Sequence, residues 1–256
     1  MNISCCAWAL SGPEEGALDQ LAAIGFRHID VQARTYTSAQ SRSHQSDLGL
    51  KMSCVGLSFN MEIGAAMDSP DASARQKALD HIEAGLDQTA SYGVDTAYVV
   101  PGDNDALLPH FTESLIAANE LAAARQIKLC VEHFPGKALP TARGTLAFLR
   151  DLKQDNLYLL LDSGHLQISD EDPAEIIAEA GLQLGYAHLD DNDGEGDLHW
   201  SLCDGIMTRD ALQATLTALE VSPYSGPVSL ELHPELADPA ASLKRSFDLV
   251  RELLDQ

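Results

Sequence analysis

The sequence predicts an α/β fold, the (β/α)8 TIM barrel, built as a single domain over residues 1–256. Two observations carry that expectation. Short apolar or β-branched runs alternate eight times with longer amphipathic segments. The short runs are also apolar throughout rather than strictly alternating, as expected of parallel strands covered on both faces. A doubly wound open sheet fits less well, because no Gly-rich phosphate turn follows an early strand and no Pro/Gly/Ser linker separates two halves.

Each element has its own justification. Strand one is "NISCCAWAL" (2–10), followed by the helix "GPEEGALDQLAAIG" (12–25), with Pro at its start and Gly at its end. Strand two is "FRHIDVQ" (26–32); the Ser- and Gln-rich stretch 34–49 carries no readable period. Strand three is "LKMSCVGLSFN" (50–60), and a helix over 72–92 ends at Gly93 before strand four, "VDTAYVVPG" (94–102). Apolar residues spaced by three and four mark the helix at 106–126, which leads into strand five, "IKLCVEHF" (127–134). A helix at 141–154, strand six "NLYLLLDSGH" (156–165) and a helix at 172–181 follow. Strand seven, "LGYAHLDDN" (184–192), a helix at 208–220, strand eight, "GPVSLELHPE" (226–235), and a helix at 238–256 close the chain.

Composition narrows the function. Sixteen Lys and Arg against 39 Asp and Glu give a formal net charge of -23, which repels phosphate backbones and anionic membranes, so nucleic acid and membrane are not expected partners. No run of apolar residues is long enough to span a bilayer, and the first residues lack the basic start of a secretion signal, so the cytoplasm is the expected compartment. The five cysteines lack any C-x-x-C spacing, and Cys5, Cys6, Cys54, Cys130 and Cys203 read as reduced thiols.

The acidic stretch "GYAHLDDNDGEGDLHW" (185–200) invites comparison with a calcium loop. Counted from Asp191, it places Asp193, Glu195 and Gly196 correctly, but the closing bidentate Glu falls on Leu202. Four strand ends point elsewhere. "LCVEH", "LLLDSGH", "YAHLDD" and "SLELH" are apolar runs ending in Glu132, Asp162, His188 and Glu231. Taken singly, each is ordinarily a helix cap, a rim ion pair or a satisfied core histidine. Together, in a barrel, they bring three carboxylates and an imidazole to the C-terminal mouth, where catalytic groups sit. Three carboxylates that close need a cation, and one divalent metal ion (Mn2+, Mg2+, Co2+ or Zn2+) suits this O3N donor set.

These segments, with Trp8 near strand one, "GFRHIDVQ", "AARQIKLCVEHF", the His-x-Asp of "HLDD" and the terminal "LELHPE", resemble the xylose isomerase-like TIM barrel superfamily of sugar isomerases and epimerases. The resemblance spans nearly the whole chain and keeps the strand order. It implies metal ligands at Glu132, Asp162, His188 and Glu231, with Glu132 and Glu231 as base and acid for a proton next to a carbonyl. It also places His165 after the strand-six Asp, and Asp197 and His199 as substrate contacts or a second metal site, with His165 or His199 able to act as the acid.

The implied reaction is metal-assisted enolisation of a keto-sugar or related polyol, giving an isomerase or epimerase. A lyase or dehydratase acting on a keto-inositol, dehydroshikimate-like acid or 3-keto-glycoside uses the same first step. An endonuclease IV-like phosphodiesterase is disfavoured, because "GLSFN" and "VVPG" lack its strand-three and strand-four histidines; a non-catalytic sugar-binding barrel leaves the carboxylates without a purpose. The Arg that ketose epimerases carry beyond the strand-seven His is replaced by Asp193, Gly194 and Glu195. Asn60, Trp8 and Trp200 are further candidates for contact with a small sugar substrate. Alternation directs His133 away from the metal and leaves His233 behind Glu231, while Lys137 and Arg209 read as surface charges; a homo-oligomer is compatible with all of this.

Overall fold

The computed structural model describes residues 1–255. Eight parallel strands form the wall: β1 (Ile3–Cys5), β2 (His28–Gln32), β3 (Lys51–Gly56), β4 (Thr96–Val99), β5 (Lys128–Glu132), β6 (Leu157–Asp162), β7 (Leu184–Leu189) and β8 (Val228–Leu230). They run in the order β1-β8-β7-β6-β5-β4-β3-β2, and a single bridge between Cys6 and Asp30 brings β1 against β2, so the barrel is nearly closed.

The helices are α1 (Glu14–Ile24), α2 (Ala39–Asp47), α3 (Ala72–Ser91), α4 (Leu108–Ala124), α5 (Ala142–Leu152), α6 (Ser163–Ile168), α7 (Pro173–Ala180), α8 (Arg209–Val221) and α9 (Pro239–Leu254), all but the short α6 forming the outer layer. Their apolar faces and the outward strand residues share one core, including Leu18, Ile29, Val131, Leu161 and Leu243. A second, smaller cluster fills the barrel: Cys54, Tyr98, Cys130, Leu160 and Tyr186, one residue from each of β3 to β7. Because strand side chains alternate, the residue two beyond an interior one also faces inward. Cys130 thus leads to Glu132, Leu160 to Asp162, and Tyr186 to His188, so the site stands on this floor.

Several boundaries differ from the sequence expectation. Strand one stops at Cys5 and continues as a 3-10 turn at Ala7–Ala9, and strands three, four and eight are shorter than expected. The unreadable stretch 34–49 contains α2, whose N-terminus is capped by the Ser38 side chain accepting from Ser41 N. The expected strand "NLYLLLDSGH" ends at Asp162, and His165 lies on α6 instead. The cause is local: Asp162 Oδ1 accepts from His165 N at 2.8 Å, capping a helix that begins directly where the strand stops.

Candidate functional site

Glu132, Asp162, His188 and Glu231 converge, each offering a ligand atom within 4.8 Å of the others. Strand pairing accounts for part of this, since Asp162 is registered directly beside His188. All four are buried, and their free atoms point inward. Asp162 uses Oδ1 as a helix cap and leaves Oδ2 without a hydrogen-bond partner. Glu231 receives the Trp8 indole N–H on Oε1 at 3.0 Å and leaves Oε2 without one. His188 Nδ1 lies 2.6 Å from that Oε2 and 3.6 Å from Glu132 Oε1, yet has no aligned hydrogen bond. Buried polar atoms are nearly always partnered, so three orphaned donors and acceptors facing one point fit a cation between them.

A second group adjoins the first. His165 is fixed by Nδ1–H donating to the His133 carbonyl at 2.8 Å, and its Nε2 lies 3.3 Å from Asp197 Oδ1. The same Asp197 oxygen is 2.9 Å from His199 Nε2, while His199 Nδ1 is 3.0 Å from Asp190 Oδ2. The connecting loop is shaped by Asn192, whose Oδ1 accepts from both Leu198 N and His199 N, holding His199 at a φ of 45°. Asp197, His165 and His199 are thus brought together, within reach of Glu132 through a 3.9 Å approach of His165 Nδ1 to Glu132 Oε1.

Crowding of charge sets the protonation states. Burial and the neighbouring Asp190 push the Asp162 carboxyl well up. Burial alone would raise Glu231, but His188, His199 and His165 outweigh it and draw it down to about 2. Burial would lower the imidazoles; Glu231 and Cys6 raise His188 instead, and Asp190 raises His199. For His165 the same burial is outweighed by Asp162, Asp197 and Glu132, which lift it to about 10. Asp197 is held low despite partial burial by its two imidazole partners.

The other candidates divide. Trp8 reaches the cluster through Glu231 and packs against Phe59 with ring centroids 5.8 Å apart. Asn60 sits at the exposed rim with φ 60°, its amide donating to Ala33 O at 2.9 Å and Gln32 Oε1 at 3.3 Å. Trp200 pairs through its backbone with Asp191 and lines a separate depression with Leu236 and Arg245. His133 faces away from the cluster, its Nε2 accepting from Asp162 N at 3.3 Å. His233 accepts from Glu235 N, and Arg209 pairs with Glu252 at 2.9 Å. Sequence reasoning missed Asp30. It is fully buried in the middle of β2, accepting from Tyr186 OH at 2.6 Å and Ser4 Oγ at 2.9 Å, and its Oδ2 lies 3.6 Å from His188 Nε2. The available signal was a carboxylate between the two apolar residues of the strand "HIDVQ", Ile29 and Val31.

Comparison with known proteins places these features in context. The family described as a xylose isomerase-like TIM barrel matches residues 18–253. D-psicose 3-epimerase of Agrobacterium fabrum is 24% identical over 215 residues, covering 75% of this chain and 74% of that protein. An inosose dehydratase of Clostridium perfringens is 36% identical over 80 residues, 31% of this chain and 27% of the dehydratase. Among solved structures, a D-psicose 3-epimerase crystallised in the presence of D-fructose superposes with a TM-score of 0.81 at 20% identity, covering 100% of both chains.

Proposed function

Because the chain belongs to the xylose isomerase-like TIM barrel family, we propose that it is a single-domain, metal-dependent epimerase or isomerase acting on a keto-sugar or related polyol. The observation that carries this reading is the convergence of Asp162 Oδ2, His188 Nδ1 and Glu231 Oε2, buried and unpartnered, beside Glu132. Glu132, Asp162, His188 and Glu231 would hold one divalent ion, Mn2+, Mg2+, Co2+ or Zn2+, which when bound supplies Lewis acidity to polarise a substrate carbonyl.

The chain's own residues then move the proton. Glu132 ends β5 and Glu231 directly follows β8, with β6 and β7 between the two strands, so they would approach a bound sugar from different sides. One carboxylate removes the proton from the carbon beside the carbonyl and the other returns it to the opposite face, inverting that centre. Trp8 fixes Glu231 by occupying Oε1, leaving Oε2 for the inward task. His165, with Nδ1 committed to the His133 carbonyl, presents Nε2 alongside Asp197 and His199 for contact with substrate hydroxyls.

The test is to incubate metal-loaded protein with candidate keto-sugars in D2O and follow deuterium at the carbon next to the carbonyl by NMR. Incorporation that disappears in Glu132→Gln supports the reading; no incorporation with any sugar contradicts it.

A second reading is a dehydratase, favoured by the imidazoles of His165 and His199, which their carboxylate neighbours keep protonated and thus able to donate to a departing hydroxyl. The similarity to an inosose dehydratase supports this alternative. Loss of water from the substrate, read by mass, separates it from epimerisation.

A further inference from the structure

The end of the barrel opposite the cluster carries charge of the other sign. His28, Lys51, Thr96 and Lys128 are the first residues of β2 to β5, at the N-terminal rim, whereas Glu132 and Asp162 are the last of β5 and β6. Two depressions open at this rim. One, of about 230 Å3, is lined by His28, Ser53 and Lys128, and the other, of about 350 Å3, by Arg42 and Lys51. They adjoin, because Met52 and Gly93 line both.

The cations at this rim are uncommitted. Among the described residues most Lys and Arg side chains pair with carboxylates, but Arg42, Lys51 and Lys128 do not. Asp95 is the one carboxylate among the described residues of either lining, and it accepts from Thr96 Oγ1 at 2.9 Å. Three cations thus face one carboxylate, in a chain whose net charge is -23. The depressions beside Phe134 and Trp200 have the reverse balance: each sets two carboxylates against a single cation, Lys137 or Arg245, that is already paired. Walls of low dielectric and one predominant sign concentrate ions of the opposite sign.

Donors are also held in place. The Arg42 guanidinium lies 4.7 Å from the Tyr92 ring centroid and donates through Nη2 to Ser91 Oγ at 3.0 Å, which fixes its plane. Ser53 is the extra residue of a β-bulge, since Met52 is registered with Ile29 and Cys54 with Asp30. Its hydroxyl is buried without a hydrogen-bond partner, in the lining of the smaller depression. Burial and the nearby Lys51 keep His28 below its ordinary range, so at neutral pH it offers one N–H without charge.

We propose that these adjoining depressions form a binding site for a phosphate group, carried by inorganic phosphate or by a small phosphate ester. Lys51 and Lys128 supply the opposing charge, Arg42 a planar set of donors, and Ser53 a neutral hydroxyl that is otherwise unsatisfied. The site lies at the far end of the barrel from the carboxylates of the cluster, and it stands or falls independently of the proton-transfer reading.

Calorimetric titration of the metal-loaded full chain with inorganic phosphate, glycerol 3-phosphate and glycerol tests it. Both anions should bind saturably and glycerol should not; tighter binding of the ester identifies an ester as the ligand, and the reverse order identifies free phosphate. Lys51→Met and Lys128→Met should each weaken binding by about tenfold or more, as expected for loss of one charge-assisted hydrogen bond. Lys51 is exposed, so Lys51→Met reads the site even where Lys128→Met disturbs the fold. Lys137→Met, at the barrel mouth, and Asp162→Ala, which removes a carboxylate from the cluster, should leave phosphate binding unchanged. Absence of saturable binding overturns the inference, as does binding that survives both rim substitutions or that is lost in Asp162→Ala.

Discussion

Asp30 Oδ2 lies 3.6 Å from His188 Nε2, on the side of the ring opposite Glu231, which lies 2.6 Å from Nδ1. The imidazole is therefore flanked by carboxylates at both nitrogens. A metal-binding histidine is commonly oriented by a carboxylate at its other nitrogen, and such partners contribute about 10–100-fold to metal affinity. Asp30 is itself held by Tyr186, Ser4 and burial. Asp30→Asn is expected to weaken metal binding by about 10–100-fold while the fold is retained, as measured by chelator competition and circular dichroism.

Metal binding should also release a proton. His188 is raised well above its ordinary range in the metal-free protein, yet only a neutral imidazole can ligate. Below that raised pKa, affinity for Mn2+ should increase by about tenfold per pH unit for each proton displaced. Calorimetry at pH 7 in buffers of different ionisation enthalpy should report release of protons rather than uptake.

Glu132→Gln removes a carboxylate without changing the side chain's shape. Exchange of the substrate's carbon-bound proton should fall by about 10²–10⁴-fold, the range ordinarily supplied by a positioned acid or base. Thermal unfolding, followed in parallel, separates this effect from a loss of structure.

Gly164 tests the packing between α6 and the end of β7. A Cβ there would lie 2.3 Å from Asp190 Oδ2 and 2.4 Å from Asn192 Nδ2, while Gly164 N already donates to Asp190 Oδ1 at 2.7 Å. Gly164→Ala should destabilise the protein by about 1–3 kcal/mol in urea unfolding, as expected of an overpacked site. It should also displace His199, which the same Asp190 holds.

Much of this site was legible because strands β5 to β8 end on chemistry: an apolar run turning into Glu132, Asp162, His188 or Glu231 identifies both the interior face and its rim. Other parts gave weak signals for physical reasons. The α2 segment is polar over most of its surface, so it has little apolar periodicity and is marked chiefly by the Ser38 cap. At six residues, α6 is too short to show a period, and the Asp162 that starts it looks like the end of a strand. Asp30 lies within a strand rather than beyond one, and its partners Ser4 and Tyr186 are distant in sequence. Trp200 resembled a rim aromatic, but the turn pairing it with Asp191 directs it to another depression.

Glu132, Asp162, His188 and Glu231 are proposed to bind one divalent ion. Elemental analysis of purified protein after dialysis against Mn2+ tests it most directly, with Asp162→Ala and His188→Ala prepared alongside. Close to one equivalent of metal is expected in the unaltered chain, with its loss from both folded variants. Metal content unchanged by either substitution would contradict it.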